Sequence, residues 1–193
     1  MIFLAVFAAA FLTALFLTPP VARWAEAHGF YYAARAQDIH LRPTPRLGGI
    51  PVYVAFIAAV GLSWLLPVPR PDTQEPWRVA GVLLGATIIL LLGIRDDKQP
   101  LSPLPQLAGQ VVAAGVAVAL GVRADFIASP FGGTVDFPLW LSVAFTLFWI
   151  MGDANTVNWL DGLDGLAAGV TVIAALALAL HSLRLGQQSI ALL

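Results

Sequence analysis

The chain has 193 residues, 59% hydrophobic and 11% charged, with ten Lys+Arg against eleven Asp+Glu, a formal charge of -1 and no cysteine. An average soluble domain carries roughly 25% charged residues, so this composition, with a mean hydropathy of +0.84, places the chain in a bilayer and leaves no basic surface to hold nucleic acid by counterion release. The lack of cysteine excludes disulfides, thiolate-held zinc, iron–sulfur clusters and thiol nucleophiles, so any chemistry uses oxygen, nitrogen or a metal.

A spanning helix takes about 20 apolar residues, so the chain has room for roughly six spans and short connections but no separate soluble domain. Apolar runs fall at residues 2–17, 50–67, 79–94, 104–122, 137–151 and 166–183, each bounded by Pro, Gly or charge. The first lacks a basic leader and passes through Thr18-Pro19-Pro20 into Arg23 without a small-residue cleavage site, so it reads as a retained span rather than a signal peptide. Several runs are shorter than the ideal length, so their helices are expected to extend into flanking residues such as Trp24, Trp77 and Trp140, whose amphipathic rings suit the membrane interface. Between the fourth and fifth runs, Phe131-Gly132-Gly133-Thr134 lies among β-prone residues and predicts a small hairpin. The expected class is an all-α polytopic membrane protein of about six transmembrane helices, one transmembrane domain over residues 1–193, with active-site loops on the cytoplasmic side and an extracytoplasmic β-hairpin.

Alternation places residues 22–49, 95–102 and 153–164 on one side. That side carries Arg23, Arg35, Arg42, Arg46, Arg95 and Lys98, against Arg70, Arg78, Arg123 and Arg184 opposite, which makes it cytoplasmic by the positive-inside bias. It also holds three polar constellations.

Asp96 and Asp97 follow directly on an apolar run, and Ser102-Pro103 then reads as the N-cap and first residue of the next helix. An ionised carboxylate at mid-bilayer costs about 2.5–3.5 kcal/mol, so the pair belongs at an interface or in a wet cleft. Two adjacent negative charges invite a divalent cation, and an oxygen-only site suits Mg²⁺ with phosphates; the plain alternative is a solvated loop with Arg95 and Lys98. The second constellation is Asn155-x-x-Asn158-x-x-Asp161-Gly-Leu-Asp164-Gly, polar at every third residue. If helical, successive members stand about 60° apart and fan across one face. Amides interleaved with carboxylates can bind a metal and the imide edge of a base, whereas the bare alternative is a helix N-terminus with dipole-favoured acids. An EF-hand loop does not fit, because Val157 and Asn158 occupy positions that need a ligand and a turning glycine. The third constellation runs from Arg35 to Gly49, with His40, Arg42, Pro43-Thr44-Pro45, Arg46 and Gly48-Gly49. Arginines on a stiff, glycine-flanked turn suit phosphate, although an interfacial anchor also explains the arginines. His28 has no evident partner, and His181 reads as a helix-packing residue.

Together, Thr18-Pro19, His40 with Pro43-Thr-Pro-Arg-Leu-Gly-Gly49, Asp96-Asp97 with Leu101-Ser-Pro103 and Gly109-Gln110, and the segment from Asn155 to Ala167 resemble the polyprenyl-phosphate N-acetylhexosamine-1-phosphate transferase family, which includes the phospho-N-acetylmuramoyl-pentapeptide transferases. The motifs occur in family order from Thr18 to Gly169. The Pro-Arg-Leu-Gly-Gly form looks more like the enzymes that start O-antigen, enterobacterial-antigen or teichoic-acid linkage synthesis than the Pro-Thr-Met-Gly-Gly form of the peptidoglycan enzyme. The resemblance implies Mg²⁺-dependent transfer (Mn²⁺ being the alternative ion) of an N-acetylhexosamine 1-phosphate, first of all GlcNAc 1-phosphate, from a UDP-sugar to undecaprenyl phosphate, with release of UMP. The setting it implies is the cytoplasmic face of a bacterial inner membrane, with a homodimer as the expected assembly. By the same resemblance, Asp96 and Asp97 are the catalytic pair, Asp97 and Asn158 metal-binding, Asn155, Asp161 and Asp164 nucleotide-binding, and Arg46, Lys98 and His40 phosphate-binding.

Two departures accompany it. Nine residues beyond Asp97, where the family usually has Lys or Arg, stands Gln106, so either Lys98 or Arg46 supplies the missing charge or diphosphate binding is weakened. The family has roughly ten or eleven spans, and its later Gly-Asp-Ala-Gly metal motif and basic His/Arg loop have no counterpart in these 193 residues, so the chain is expected to be the N-terminal part of such an enzyme. The competing readings are a CDP-alcohol phosphatidyltransferase, a small transporter and an inactive membrane remnant. The first lacks the Ala-Arg and paired aspartates that should follow Asp161-Gly162; the second is disfavoured by polar residues gathered at span ends rather than mid-span.

Overall fold

The computed structural model describes residues 1–32, 44–161 and 165–192. These residues form six α-helices and two short antiparallel strand pairs. The helices are α1 (Ile2–Ala27), α2 (Gly49–Leu65), α3 (Glu75–Lys98), α4 (Pro103–Ala119), α5 (Leu139–Leu160) and α6 (Leu166–Arg184), one for each apolar run. By length and composition α1, α3 and α6 suffice to cross a membrane. The helices α2 and α4 have 17 residues each, about 26 Å of helix against a hydrocarbon core of about 30 Å. No residue of the most apolar stretch of α6 is buried, and Leu4, Phe7, Phe16 and Ile173 are also exposed. Water would not tolerate so much contiguous apolar surface, and lipid would. The protein is a helical membrane protein.

The chain divides into two compact units: residues 1–69, 90–103 and 182–193 form the first, and residues 70–89 and 104–181 the second. In the first, α1 packs on α2 through Val6 and Ala59, joined by Leu192 from the short 3-10 turn Ile190–Leu192. The first apolar run ends at Leu17, and the expected extension of its helix to the flanking Trp24 is met: α1 runs through Pro19 and Pro20 to Ala27. Proline removes the backbone donor and normally breaks a water-exposed helix, but in a bilayer the surroundings can re-satisfy the freed groups; one turn earlier, the Thr18 hydroxyl donates to the Ala14 carbonyl at 2.7 Å. A strand pair absent from the sequence reading follows, β1 (Tyr31–Tyr32) against β2 (Thr44–Pro45).

In the second unit, Gly81 and Gly85, one turn apart on α3, lie against Ala113 and Ala117, one turn apart on α4. A Cβ at Gly85 would stand 3.0 Å from the Ala113 carbonyl oxygen, and one at Gly81 3.2 Å from that of Ala117. This is the small-xxx-small solution to helix packing in lipid, where close backbone approach replaces the hydrophobic drive. The alanine-rich stretch of α4 therefore packs within the chain. The expected hairpin is present as β3 (Phe126–Ala128) and β4 (Thr134–Asp136), turned by Gly132 and Gly133 at φ of +97° and +79°. It is tied to α5, where the Ser142 hydroxyl donates to Asp125 at 2.7 Å and the Ala124 amide donates to the Thr146 hydroxyl at 2.9 Å. At the start of α3, the buried Glu75 carboxylate is paired with Arg70, and its second oxygen has no partner among the described residues.

Candidate active site

The sequence reading places Asp96 and Asp97 in a connection after the third span. The structure places both in the last turn of α3, which continues to Lys98, so the pair is held on a helix and not on a loose loop. Consecutive helical residues point about 100° apart, and the two carboxylates accordingly have different partners. Asp96 turns towards the exit of its own helix, accepting the Leu101 amide at 2.7 Å. This bond closes the connection into α4, whose first residue is Pro103 as predicted. Asp97 turns to the Pro45-Arg46-Leu47 segment. The Arg46 guanidinium donates to its Oδ1 at 3.2 Å, and the Leu47 backbone N–H also hydrogen-bonds to this carboxylate.

The Leu47 bond has a conformational cause. Leu47 has a φ of +72°, alone among described non-glycine residues in being positive, a left-handed backbone that costs an L-residue roughly 1–2 kcal/mol. Its side chain is 4% exposed, packed with Ala25 and Phe30 and flanked by Val21, Ile50 and Ile94. Burial of that side chain opposes the strain and fixes the turn, with the Arg46 amide donating to the Phe30 carbonyl at 2.9 Å and the Ile50 amide to the Leu47 carbonyl at 3.0 Å. The left-handed residue is thus Leu47 and neither neighbouring glycine: Gly48 is right-handed at φ -57°, and a Cβ there would meet nothing. Arg46 and Lys98, both expected to hold phosphate, stand in this cluster, Lys98 with its ammonium 5.3 Å from the centre of the Phe30 ring. His40 lies outside the described residues, as do Arg35, Arg42 and Pro43.

The second constellation begins on α5. The sequence reading ends the span at Met151 and fans Asn158, Asp161 and Asp164 across one helix face, or takes the stretch as a helix N-terminus. The stretch is helical as far as Leu160, so Asn155 and Asn158 lie on one helix, but it is the C-terminal end of α5 and not the start of the next helix: Asp161 is the C-cap residue, and α6 starts at Leu166. Gly165 has a φ of +76° and nothing within reach of a Cβ, so it supplies conformation rather than close approach. Asn158 and Asp161 are exposed; Asp164 lies outside the described residues. Asn155 is half-buried and faces α4, where its Nδ2 donates to Gln110 Oε1 at 2.8 Å and to the Met151 carbonyl at 2.8 Å, while Gln110 Nε2 donates to Asn155 Oδ1 at 3.2 Å.

Among the described residues no group of three or more His, Cys, Asp or Glu stands together. Mg²⁺ does not require a dedicated protein cage, being held commonly by one or two carboxylates with substrate phosphates and water. The oxygen donors of Asp96 and Asp97 fit that pattern.

Sequence reasoning missed Phe30 and Leu47, whose parts are backbone and packing. The signal for the Gln110–Asn155 pair was available, since a polar residue inside an apolar run needs a partner. His28, without a partner in the sequence, stacks on Trp24 at 4.2 Å and hydrogen-bonds the Trp24 carbonyl at 2.8 Å. His181, read as a packing residue, is exposed.

The fold and site define a class: a helical membrane protein with paired acids in the last turn of a membrane helix and an Arg-Leu-Gly-Gly turn holding one of them. The family model described as "Glycosyl transferase family 4" matches residues 79–193. Over 172 residues the chain is 36% identical to the decaprenyl-phosphate N-acetylglucosaminephosphotransferase of Mycobacterium tuberculosis H37Rv, covering 88% of this chain and 43% of that protein. Over 182 residues it is 35% identical to the probable undecaprenyl-phosphate N-acetylglucosaminyl 1-phosphate transferase of Bacillus subtilis 168, covering 94% and 48%. It is also 32% identical to the phospho-N-acetylmuramoyl-pentapeptide-transferase of Lactobacillus gasseri over 142 residues, covering 68% and 43%. No solved structure matches the chain. The chain belongs to glycosyl transferase family 4, and it spans less than half the length of these curated relatives.

Proposed function

We propose that this chain is part of an enzyme that transfers N-acetylglucosamine 1-phosphate from a UDP-sugar to undecaprenyl phosphate, releasing UMP and starting a cell-envelope glycopolymer. The observation that carries the reading is the hold on Asp97: a strained, buried Leu47 turn and the Arg46 guanidinium fix a carboxylate at the end of a membrane helix, in a family whose relatives are named for phospho-sugar transfer to polyprenyl phosphates. The GlcNAc donor is favoured because relatives so named match 78–94% of the chain, against 68–72% for pentapeptide transferases.

In this reading all six helices cross a bacterial inner membrane, with the end of α3 and the Arg46 turn facing the cytoplasm. A lipid-borne acceptor and a soluble nucleotide meet only at such an interface. The acceptor phosphate oxygen attacks the sugar-bearing β-phosphorus in line, and the bond to the UMP oxygen breaks. Such a transfer is governed by positioning and charge neutralisation. A phosphate monoester with a second pKa near 6 is already largely ionised at pH 7, so Asp97 orients more than it deprotonates. Bound Mg²⁺ would neutralise phosphate charge; Asp97 would hold it, and Asn158 is a separate candidate metal donor. Arg46, Lys98 and His40 are assigned to phosphate, and Asp161 and Asp164 to the nucleotide.

The test is to incubate membranes containing the protein with UDP-GlcNAc, undecaprenyl phosphate and Mg²⁺ and to follow UMP and the lipid product. Stoichiometric UMP and undecaprenyl-diphosphate-GlcNAc are expected, abolished by chelation and restored by Mg²⁺. Turnover with UDP-MurNAc-pentapeptide alone would move the assignment to the peptidoglycan branch, and no UMP from either donor would overturn it.

A further inference from the structure

We propose that Asn155 is a positioning residue, locked to Gln110 in a reciprocal amide clasp that fixes the end of α5, and that it does not touch the nucleotide. The argument is one of hydrogen-bond capacity. An asparagine side chain has two N–H donors and one carbonyl with two lone pairs. Both donors of Asn155 are committed, one to Gln110 Oε1 at 2.8 Å and one to the Met151 carbonyl at 2.8 Å, and its Oδ1 already accepts from Gln110 Nε2 at 3.2 Å. Nothing remains with which to donate to a base carbonyl; one acceptor lone pair is left.

The orientation of the clasp is also determined. The Met151 carbonyl can only accept, so the Asn155 nitrogen must face it, and the Gln110 amide is then oriented by complementarity. Both residues lie in the second unit, on facing helices and half-buried, where an unpaired amide would be costly. The pair is neutral, so it adds no charge to the membrane. Its position gives it a purpose: Asn155 stands one helical turn before Asn158 and two before Asp161, the exposed residues that end α5. Anchoring α5 to α4 there sets where those two residues are presented, and a misplacement of about 1 Å far from the chemistry can cost a hundredfold in rate.

This assignment rests on the transferase reading for its catalytic consequence but not for the clasp itself, and the experiment separates them. Wild-type protein, Gln110→Ala, Asn155→Ala, the double alanine variant and the exchange variant Gln110→Asn/Asn155→Gln are purified in detergent. Thermal unfolding and steady-state UMP release against UDP-GlcNAc are then measured. The two single alanine variants and the double should lose Tm by similar amounts, because removing either partner removes the whole clasp. The exchange variant, which keeps two amides and the same combined side-chain length, should recover at least half of that loss. In turnover, both single variants should lower kcat by about tenfold and leave the donor KM within about twofold. Additive Tm losses would overturn the clasp. A raised donor KM in Asn155→Ala with a normal one in Gln110→Ala would show direct nucleotide contact and overturn the positioning role. No UMP release from the wild type would remove the transferase reading, while the Tm comparison would still decide the clasp.

Discussion

Leu47 offers a test in which physical chemistry reverses an ordinary preference. In regular backbone, glycine is less stable than alanine by about 0.5–1 kcal/mol because it loses more conformational freedom on folding. At a φ of +72°, alanine carries the left-handed penalty and glycine does not, and the net balance tips towards glycine by about 1 kcal/mol. Both substitutions remove a side chain that is 96% buried, given its 4% exposure. Emptying such a leucine site costs about 2–5 kcal/mol; because the cluster is small, we take about 3 kcal/mol for Leu47→Ala and about 2 kcal/mol for Leu47→Gly. The assay is unfolding of the purified protein in mixed micelles by increasing SDS, read by helical circular dichroism. The expected order is wild type, then Leu47→Gly, then Leu47→Ala. If alanine proves more stable than glycine by the usual half to one kcal/mol, the left-handed backbone at Leu47 and the turn built on it are wrong. Both variants keep the Leu47 amide that holds Asp97, so both should retain measurable turnover if the fold survives.

Three further outcomes follow from the same geometry. Asp97→Asn should abolish UMP release and leave the helical spectrum and detergent-extracted Tm close to wild type, since its ion pair with Arg46 is about one-third exposed on both sides (32% and 30%) and such pairs contribute about 0–1 kcal/mol; near-normal turnover would sink its assignment. Asp161→Asn removes a negative charge from the C-terminal end of α5, where the helix dipole opposes it by about 0.3–1 kcal/mol, so Tm should hold or rise while transfer falls, and a clear loss of Tm would refute that account. Gly85→Val should destabilise the fold by at least about 1–3 kcal/mol, because even its Cβ would stand 3.0 Å from the Ala113 carbonyl oxygen on α4; an unchanged SDS midpoint would exclude close α3–α4 packing.

Much of the architecture was legible because a bilayer imposes one rule, that apolar runs of sufficient length become helices. Each run became one helix, and the Phe131-Gly-Gly-Thr turn gave the hairpin it predicts. The first run ends before Pro19-Pro20, and its helix extends past the flanking Trp24 as expected, to Ala27. The misjudged stretch is Asp153-x-Asn155, where polar residues end the apolar run and the segment beyond reads with the sixth span, yet α5 continues to Leu160. Apolarity marks where lipid is, whereas helicity continues until the backbone finds a reason to stop, as α5 does at its C-cap Asp161. The cluster at the end of α3 was legible where chemistry is written in side chains, at Asp96, Asp97 and Arg46, of which the structure joins Asp97 to Arg46. It was not legible where the work is done by backbone: nothing in a leucine beside two glycines says that leucine takes the left-handed position, because that choice is made by the pocket of Ala25 and Phe30 around it. The Gln110–Asn155 pair falls between these cases, two polar residues that each demand a partner, 45 positions apart.

The acidic residues at α3 and α5 occupy positions that stability alone would not select. Asp96 and Asp97 sit in the last turn of α3, and Asp161 caps the end of α5; at a helix C-terminus the dipole favours cations and opposes carboxylates. Arg95 and Lys98 flank the first pair as the dipole prefers. The turn that holds Asp97 adds a second cost, the left-handed backbone of Leu47, offset by burial of its side chain. A fold selected only for stability would place lysine or asparagine where these aspartates stand and glycine where Leu47 turns. Under the proposed transferase reading, carboxylates kept against the dipole, one of them held by a strained turn, suit a site for a cation and phosphates. The stability gained by Asp161→Asn and the activity lost should therefore move in opposite directions, and a variant that gains both would break the link between these costs and function.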